Sequence, residues 1–278
     1  GDGFRVHNFF PSGYNMDPRR MSPFYMLDYG SKIEFPPRNE PRGVGVHPHR
    51  GFETVTISYH GEVAHHDSMG NSGVIKAGDV QWMTAGGGIV HEEFHSPAFS
   101  QNGGVFEVAQ LWVNLPAKLK MTHPCYREVE SSQIPEVHTD DGVVVKIIAG
   151  EFQGVQGAVT EIFADPEYLD VSIPAGSSFE QPIKKGHTVF AYVFEGEGIF
   201  GDFELDYKEK GTPVTSTFLV VFGEGDAVRV FAPYGVRFLL VSGEPLNEPI
   251  ARYGPFVMNT SEEIQEALED LQNNTFVK

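Results

Sequence analysis

The sequence predicts an all-β protein made of two antiparallel β-barrel (jelly-roll) domains and one short C-terminal helix. Three observations predict it. Short stretches of alternating polar and apolar residues recur between turns rich in glycine and proline, of which the 278-residue chain holds 31 and 19. The two halves share a pattern: Glu53-Thr-Val-Thr-Ile-Ser-Tyr-His-Gly-Glu62 matches His187-Thr-Val-Phe-Ala-Tyr-Val-Phe-Glu-Gly-Glu197, and Gly78-Asp79-Val80 matches Gly225-Asp226-Ala227. Only one stretch carries helical spacing, and it lies near the end of the chain.

Along the chain, residues 1–45 mix short apolar clusters, such as Met21 to Leu27, with Pro/Gly punctuation. At 54–59 the pattern has period two, with Thr54, Thr56 and Ser58 on one face and Val55, Ile57 and Tyr59 on the other, which predicts a half-buried strand. Strands are also predicted at 80–83 and 110–115, the latter closed by Pro116. The polar stretch 117–142, with Pro124 and Pro135, is read as the linker. The predicted domains are 1–125 and 126–278, with the C-terminal helix packing back. Strands resume at 143 and continue to about 243. Thr260-Ser-Glu-Glu263 is a capping box, and Ile264, Ala267, Leu268 and Leu271 then share a helical face.

Composition narrows the function. A formal net charge of −18 repels phosphate and disfavours nucleic acid and anionic membranes as direct partners. Cys125 is the only cysteine, so no intramolecular disulfide forms, which fits a reducing, cytoplasmic setting. No signal segment and no apolar run of membrane-spanning length is seen in these residues.

Seven of the eleven histidines lie between positions 47 and 95. Two pairs there have i, i+2 spacing: His47 with His49, and His91 with Glu93. On a strand such residues project to one face, so two strands meeting inside a barrel offer four ligands. Imidazole and carboxylate suit iron(II), manganese, nickel, copper or zinc, and the set leaves coordination positions open for substrate. Without a thiolate, a closed structural zinc site is disfavoured. Glu53 shares parity with His47 and His49, and spacing alone does not choose between Glu53 and Glu93 as the carboxylate. Glu53 is otherwise read as an acceptor that orients a ligand imidazole, or as a partner of Arg50. His60, His65, His66 and His95 are read as loop or rim residues. Trp82 and Trp112 are read as core, Phe52 and Met83 as barrel packing or a pocket wall, and Gly86-Gly87-Gly88 as a close backbone approach.

His47-Pro-His-Arg-Gly-Phe-Glu-Thr-Val-Thr56, Gly78-Asp-Val-Gln-Trp-Met-Thr-Ala-Gly86, Gly88-Ile-Val-His-Glu-Glu93 and Gln110-Leu-Trp-Val-Asn-Leu115 closely resemble the pirin family. Gly243-Glu-Pro-Leu246 and Gly254-Pro-Phe-Val-Met-Asn-Thr260 resemble its C-terminal half. The resemblance implies a bicupin, with a single metal held by His47, His49, His91 and Glu93, and it moves Glu53 to a supporting role. Gly87 stands where a basic residue often follows the first glycine in pirins. Iron(II) is the expected cofactor, with copper, nickel, manganese, cobalt or zinc as alternatives. Aligning the halves places Pro182, Lys184, Phe238 and Leu240 opposite the four ligands, so the second barrel is expected to be metal-free. The resemblance further implies a metal-dependent dioxygenase similar to quercetin 2,3-dioxygenase. It would open a flavonol-like aromatic substrate with dioxygen, with Glu93, or a metal-bound hydroxide, as the catalytic base. The alternative it implies is a redox-sensitive regulatory protein with a transcription regulator or metabolic enzyme as protein partner.

Overall fold

The structure, a computed structural model, describes residues 1–12, 17–201 and 211–277. Its elements are β1 (His7–Phe10), β2 (Phe24–Phe35), β3 (Gly43–His49), β4 (Phe52–His60), β5 (Val63–Asp67), β6 (Ser72–Ile75), β7 (Val80–Thr84), β8 (Ile89–His95), α1 (Pro97–Asn102), β9 (Gly104–Asn114) and β10 (Cys125–Val129). There follow β11 (Glu136–His138), β12 (Val144–Ala149), β13 (Glu151–Phe152), β14 (Val155–Gln156), β15 (Glu167–Ile173), β16 (Ser177–Pro182), β17 (Thr188–Phe200), β18 (Thr212–Thr215), β19 (Leu219–Val221), β20 (Ala227–Ala232) and β21 (Val236–Gly243). β22 (Ala251–Tyr253), β23 (Phe256–Met258) and α2 (Ser261–Gln272) complete the chain. The predominance of antiparallel strand bears out the all-β reading. The capping box is formed as predicted: the Thr260 hydroxyl accepts from the Glu263 amide, and the Glu263 carboxylate accepts from the Thr260 amide. α1 is an addition to the single predicted helix; Ser96 caps it by accepting from the Phe99 amide, and Pro97 opens its first turn. Among the described residues no helix is long and apolar enough to cross a membrane.

The chain forms two compact units, one of residues 1–131 with 246–278 and one of residues 132–245. The predicted boundary at 125/126 falls at the start of β10, which pairs with β7 along its length and so belongs to the first unit. Residues 246–278 also belong to the first unit, where β23, α2 and Phe276 pack against Val90 of β8.

In the first unit, a six-stranded sheet (β1-β2-β9-β4-β7-β10) and a four-stranded sheet (β3-β8-β5-β6) share an interior. β4 lies between β9 and β7 and is buried on both faces, not half-buried. Its polar side, Thr54 and Thr56, is 2% and 1% exposed because it faces the barrel interior rather than water. The six-stranded sheet therefore presents polar groups to the four-stranded one, where the histidine pairs lie.

In the second unit, β17 pairs with β21 and β19 as β4 pairs with β9 and β7, and β16 pairs with β20 as β3 pairs with β8. Strand pairing thus corrects the alignment drawn from sequence. Phe238 and Leu240 lie on β21, the counterpart of β9, not of β8. Gly225-Asp226 resembles Gly78-Asp79 in turn composition only. On the true counterparts the buried side chains are Phe179, Gln181, Val228, Val230 and Ala232. Most of them join one apolar core with Leu169, Ala191, Val193, Phe238 and Leu240. Truncating a large member of such a core to alanine costs about 2–5 kcal/mol.

Candidate metal centre

β3 and β8 bring the two sequence pairs together. Val44 lies opposite Glu93 and His47 opposite His91, so β3 carries one extra residue between them, a bulge at Gly45-Val46. The bulge turns His47 onto the face that β8 gives to His91 and Glu93. β8 alternates cleanly, with Ile89, His91, Glu93 and His95 buried and Val90, Glu92 and Phe94 half-buried. The ring centroids of His47, His49 and His91 are 4.4–4.9 Å apart. One nitrogen from each ring lies within 4.8 Å of the others. Glu93 stands at their side, its Oε2 4.0 Å from His47 Nε2.

The surrounding hydrogen bonds orient this group. His47 Nδ1 bonds the Gly45 carbonyl at 2.8 Å, which points Nε2 toward the other rings. The Gln110 amide N–H donates to Thr56 Oγ1 at 3.0 Å and to Glu93 Oε1 at 3.4 Å. The Trp112 indole N–H donates to the Gln110 carbonyl at 3.3 Å and so fixes which way that amide faces. Phe52 stacks on Trp112 at 4.2 Å, and both rings meet His49 edge-on. Trp112, half-buried, therefore walls the site rather than filling the core.

Burial dominates the electrostatics. It holds His49 well below the usual imidazole range, with His91 and His47 adding to the effect and the nearby Pro255 carbonyl opposing. Burial, with His47 and His65, takes His91 down to about 3. Burial raises Glu93 against the pull of His47, His65 and Gln110. His49 Nδ1 and both nitrogens of His91 are buried without a hydrogen-bond partner. Neutral imidazoles with unsatisfied lone pairs beside a carboxylate fit a divalent metal of nitrogen and oxygen preference.

Other sequence-predicted residues fall elsewhere. Glu53 neither orients a ligand nor pairs with Arg50. Its side chain leaves the opposite face of β4, where Oε1 accepts from Thr84 Oγ1 at 2.6 Å and Oε2 from Trp82 Nε1 at 3.0 Å. Arg50 instead pairs with Asp270 at 2.8 Å. His60 and His66 lie at the surface, as expected, but His65 and His95 are buried. His65 lies opposite Glu93 on β5, stacks on Tyr126 and bonds Glu128 Oε1 at 2.7 Å. His95 packs among Phe4, Phe35, Phe99 and Phe106 and bonds the Gly3 carbonyl. Spacing passed over His65, although it stands i, i+2 from Asp67 on the buried face of β5. Gly86 and Gly88 are closely approached by the carbonyls of Thr122 and Phe276.

An antiparallel barrel with convergent histidines on neighbouring strands defines a cupin. Two family models match, Pirin over residues 3–113 and the Pirin C-terminal cupin domain over residues 168–277, and the chain belongs to the pirin family. A Pseudomonas aeruginosa protein provisionally named a quercetin 2,3-dioxygenase is 44% identical over 281 residues, covering 100% of this chain and 94% of that protein. Pirin-1 of Arabidopsis thaliana is 40% identical, covering 98% and 88%. A crystal structure of quercetin 2,3-dioxygenase from Acinetobacter baumannii is 44% identical, with a TM-score of 0.91 over 99% of this chain and 93% of that one.

Proposed function

We propose that His47, His49, His91 and Glu93 hold one divalent transition metal, iron(II) first among the candidates, and that the first barrel opens flavonol-like aromatics with dioxygen. The observation that carries this reading is the convergence of three imidazoles, with both His91 nitrogens buried and unpartnered, and a carboxylate at their side. The quercetin 2,3-dioxygenase names of two relatives at 44% identity support the reaction class. When bound, the metal supplies Lewis acidity and open coordination positions.

The chain's own groups do the rest. Trp112 and Phe52 form a flat apolar wall beside His49, suited to a planar aromatic ring. Glu93, standing at the side of the three rings, takes the proton of an acidic ring hydroxyl at Oε2. Gln110 holds the other oxygen, Oε1, so that the carboxylate stays aimed at the rings. The closed aromatic wall limits water at the anion that results.

Aerobic incubation of metal-loaded protein with quercetin tests the proposal. Loss of the flavonol absorbance with carbon monoxide release is expected, and Glu93→Gln is expected to slow it about 100-fold or more. Unchanged absorbance with elemental analysis showing a filled site would exclude quercetin-type chemistry.

A further inference from the structure

His49 differs from His47 in how it is held. A hydrogen bond to Gly45 orients the His47 ring, whereas the His49 ring has the Pro255 carbonyl beside it. What fixes His49 is the turn that follows it, and residues 246–278 grip that turn. Arg50 is 1% exposed. Its guanidinium pairs with Asp270 Oδ2 at 2.8 Å, donates to the Phe276 carbonyl at 3.2 Å and lies 4.3 Å above the Phe276 ring. Asp270 Oδ1 in turn accepts from Thr275 Oγ1 at 2.9 Å, so the carboxylate is itself fixed.

The backbone is tied in parallel. The Arg50 amide donates to the Pro255 carbonyl at 3.4 Å, and the Val257 amide donates to the Arg50 carbonyl at 3.1 Å. Gly51, at φ +92°, has no room for a Cβ, because the Val257 carbonyl oxygen would lie 2.1 Å from it. Lys120 Nζ joins the same two segments by donating to the carbonyls of Gly51 at 2.9 Å and Val257 at 2.6 Å. The Pro255 carbonyl that lies beside the His49 ring belongs to this strap as well.

We propose that Asp270, on the C-terminal helix, is a positioning residue of the metal centre, acting through Arg50 to hold the His49 imidazole in ligating orientation. The inference rests on the reading of His49 as a ligand. A buried guanidinium held by one hydrogen bond to the Phe276 carbonyl and an ion pair with Asp270 fixes the backbone one residue from the candidate ligand. Supporting partners of this kind are worth roughly 10- to 100-fold in metal affinity.

The test titrates metal-stripped protein with Co(II), recording the absorption bands and the affinity by chelator competition, with circular dichroism of the metal-free chain. Asp270→Asn removes the charge. The double variant Arg50→Met/Asp270→Leu removes the ion pair and the Phe276 hydrogen bond while keeping apolar volume, and it decides the matter if Asp270→Asn fails to fold. Folded variants are expected to bind Co(II) about 10- to 100-fold more weakly with shifted bands, with partial rescue in Asp270→Glu. Glu266→Gln on the same helix is expected to match the unsubstituted protein. Folded variants with unchanged affinity and bands would overturn the proposal. A folded, unsubstituted chain that takes up no Co(II) would instead overturn the ligand reading, and this inference with it.

Discussion

Replacing His91 with leucine separates the stability of the metal-free protein from its metal affinity. His91 is 2% exposed and neither ring nitrogen has a partner. Burial, then His47 and His65, takes its pKa from 6.5 to about 3. The unfolded chain therefore binds this proton first as pH falls. Stability is complete above about pH 6.5 and is lost progressively down to about pH 3, at about 1.4 kcal/mol per pH unit in that window. Between pH 7 and pH 5, His91 alone removes about 2 kcal/mol, and His49, shifted in the same direction, adds to the loss. His91→Leu deletes the His91 share. At pH 7 it also removes two buried unsatisfied nitrogens, which is expected to stabilise the metal-free chain by about 1–2 kcal/mol while abolishing metal uptake. Urea unfolding of metal-stripped parent and variant at pH 7 and pH 5, followed by circular dichroism, measures both effects. An identical pH dependence in the two proteins would refute the reasoning, because the imidazole would then not be buried neutral.

Three further outcomes are expected. Glu53→Gln leaves metal occupancy unchanged, since Glu53 touches Trp82 and Thr84 and no ligand, but costs about 1–3 kcal/mol in unfolding free energy. Gln110→Leu frees the Glu93 carboxylate and weakens metal binding about 10-fold by chelator competition, with the fold intact. Lys120→Met strands the acceptors on Gly51, Asn114 and Val257 and lowers stability by about 2 kcal/mol or more at pH 7. Because burial has lowered the Lys120 amine to about 7, the unfolded chain holds this proton more tightly. The parent therefore gains stability relative to Lys120→Met as pH rises from about 7 to about 10, measured by paired urea titrations.

Periodicity made the site legible where chemistry and strand geometry coincide. The pairs at 47/49 and 91/93 follow from period two, and their convergence needs only that the two strands be neighbours. The same rule misled at β4, because alternation reports polarity and not water: Thr54 and Thr56 face a polar interior. The bulge at Gly45-Val46 leaves no mark in the pattern, yet it sets which side chains share the cup. Glu53 had the right parity for a ligand, but two residues of turn intervene between β3 and β4, and the new strand sends it to the opposite face. His65, Gln110 and Asp270 were beyond spacing altogether. Each meets a partner distant in the chain, as Asp270 meets Arg50.

The ligand-bearing turn and the strap that grips it are separated in the chain by the whole second unit, residues 132–245. During synthesis from the N-terminus the four candidate ligands emerge long before β23 and α2. The second unit is contiguous and can complete its core while the first still lacks a sequence-distant wall. The candidate ligands are thus made early, whereas the strap that packs on the turn after His49 is made only after the second unit.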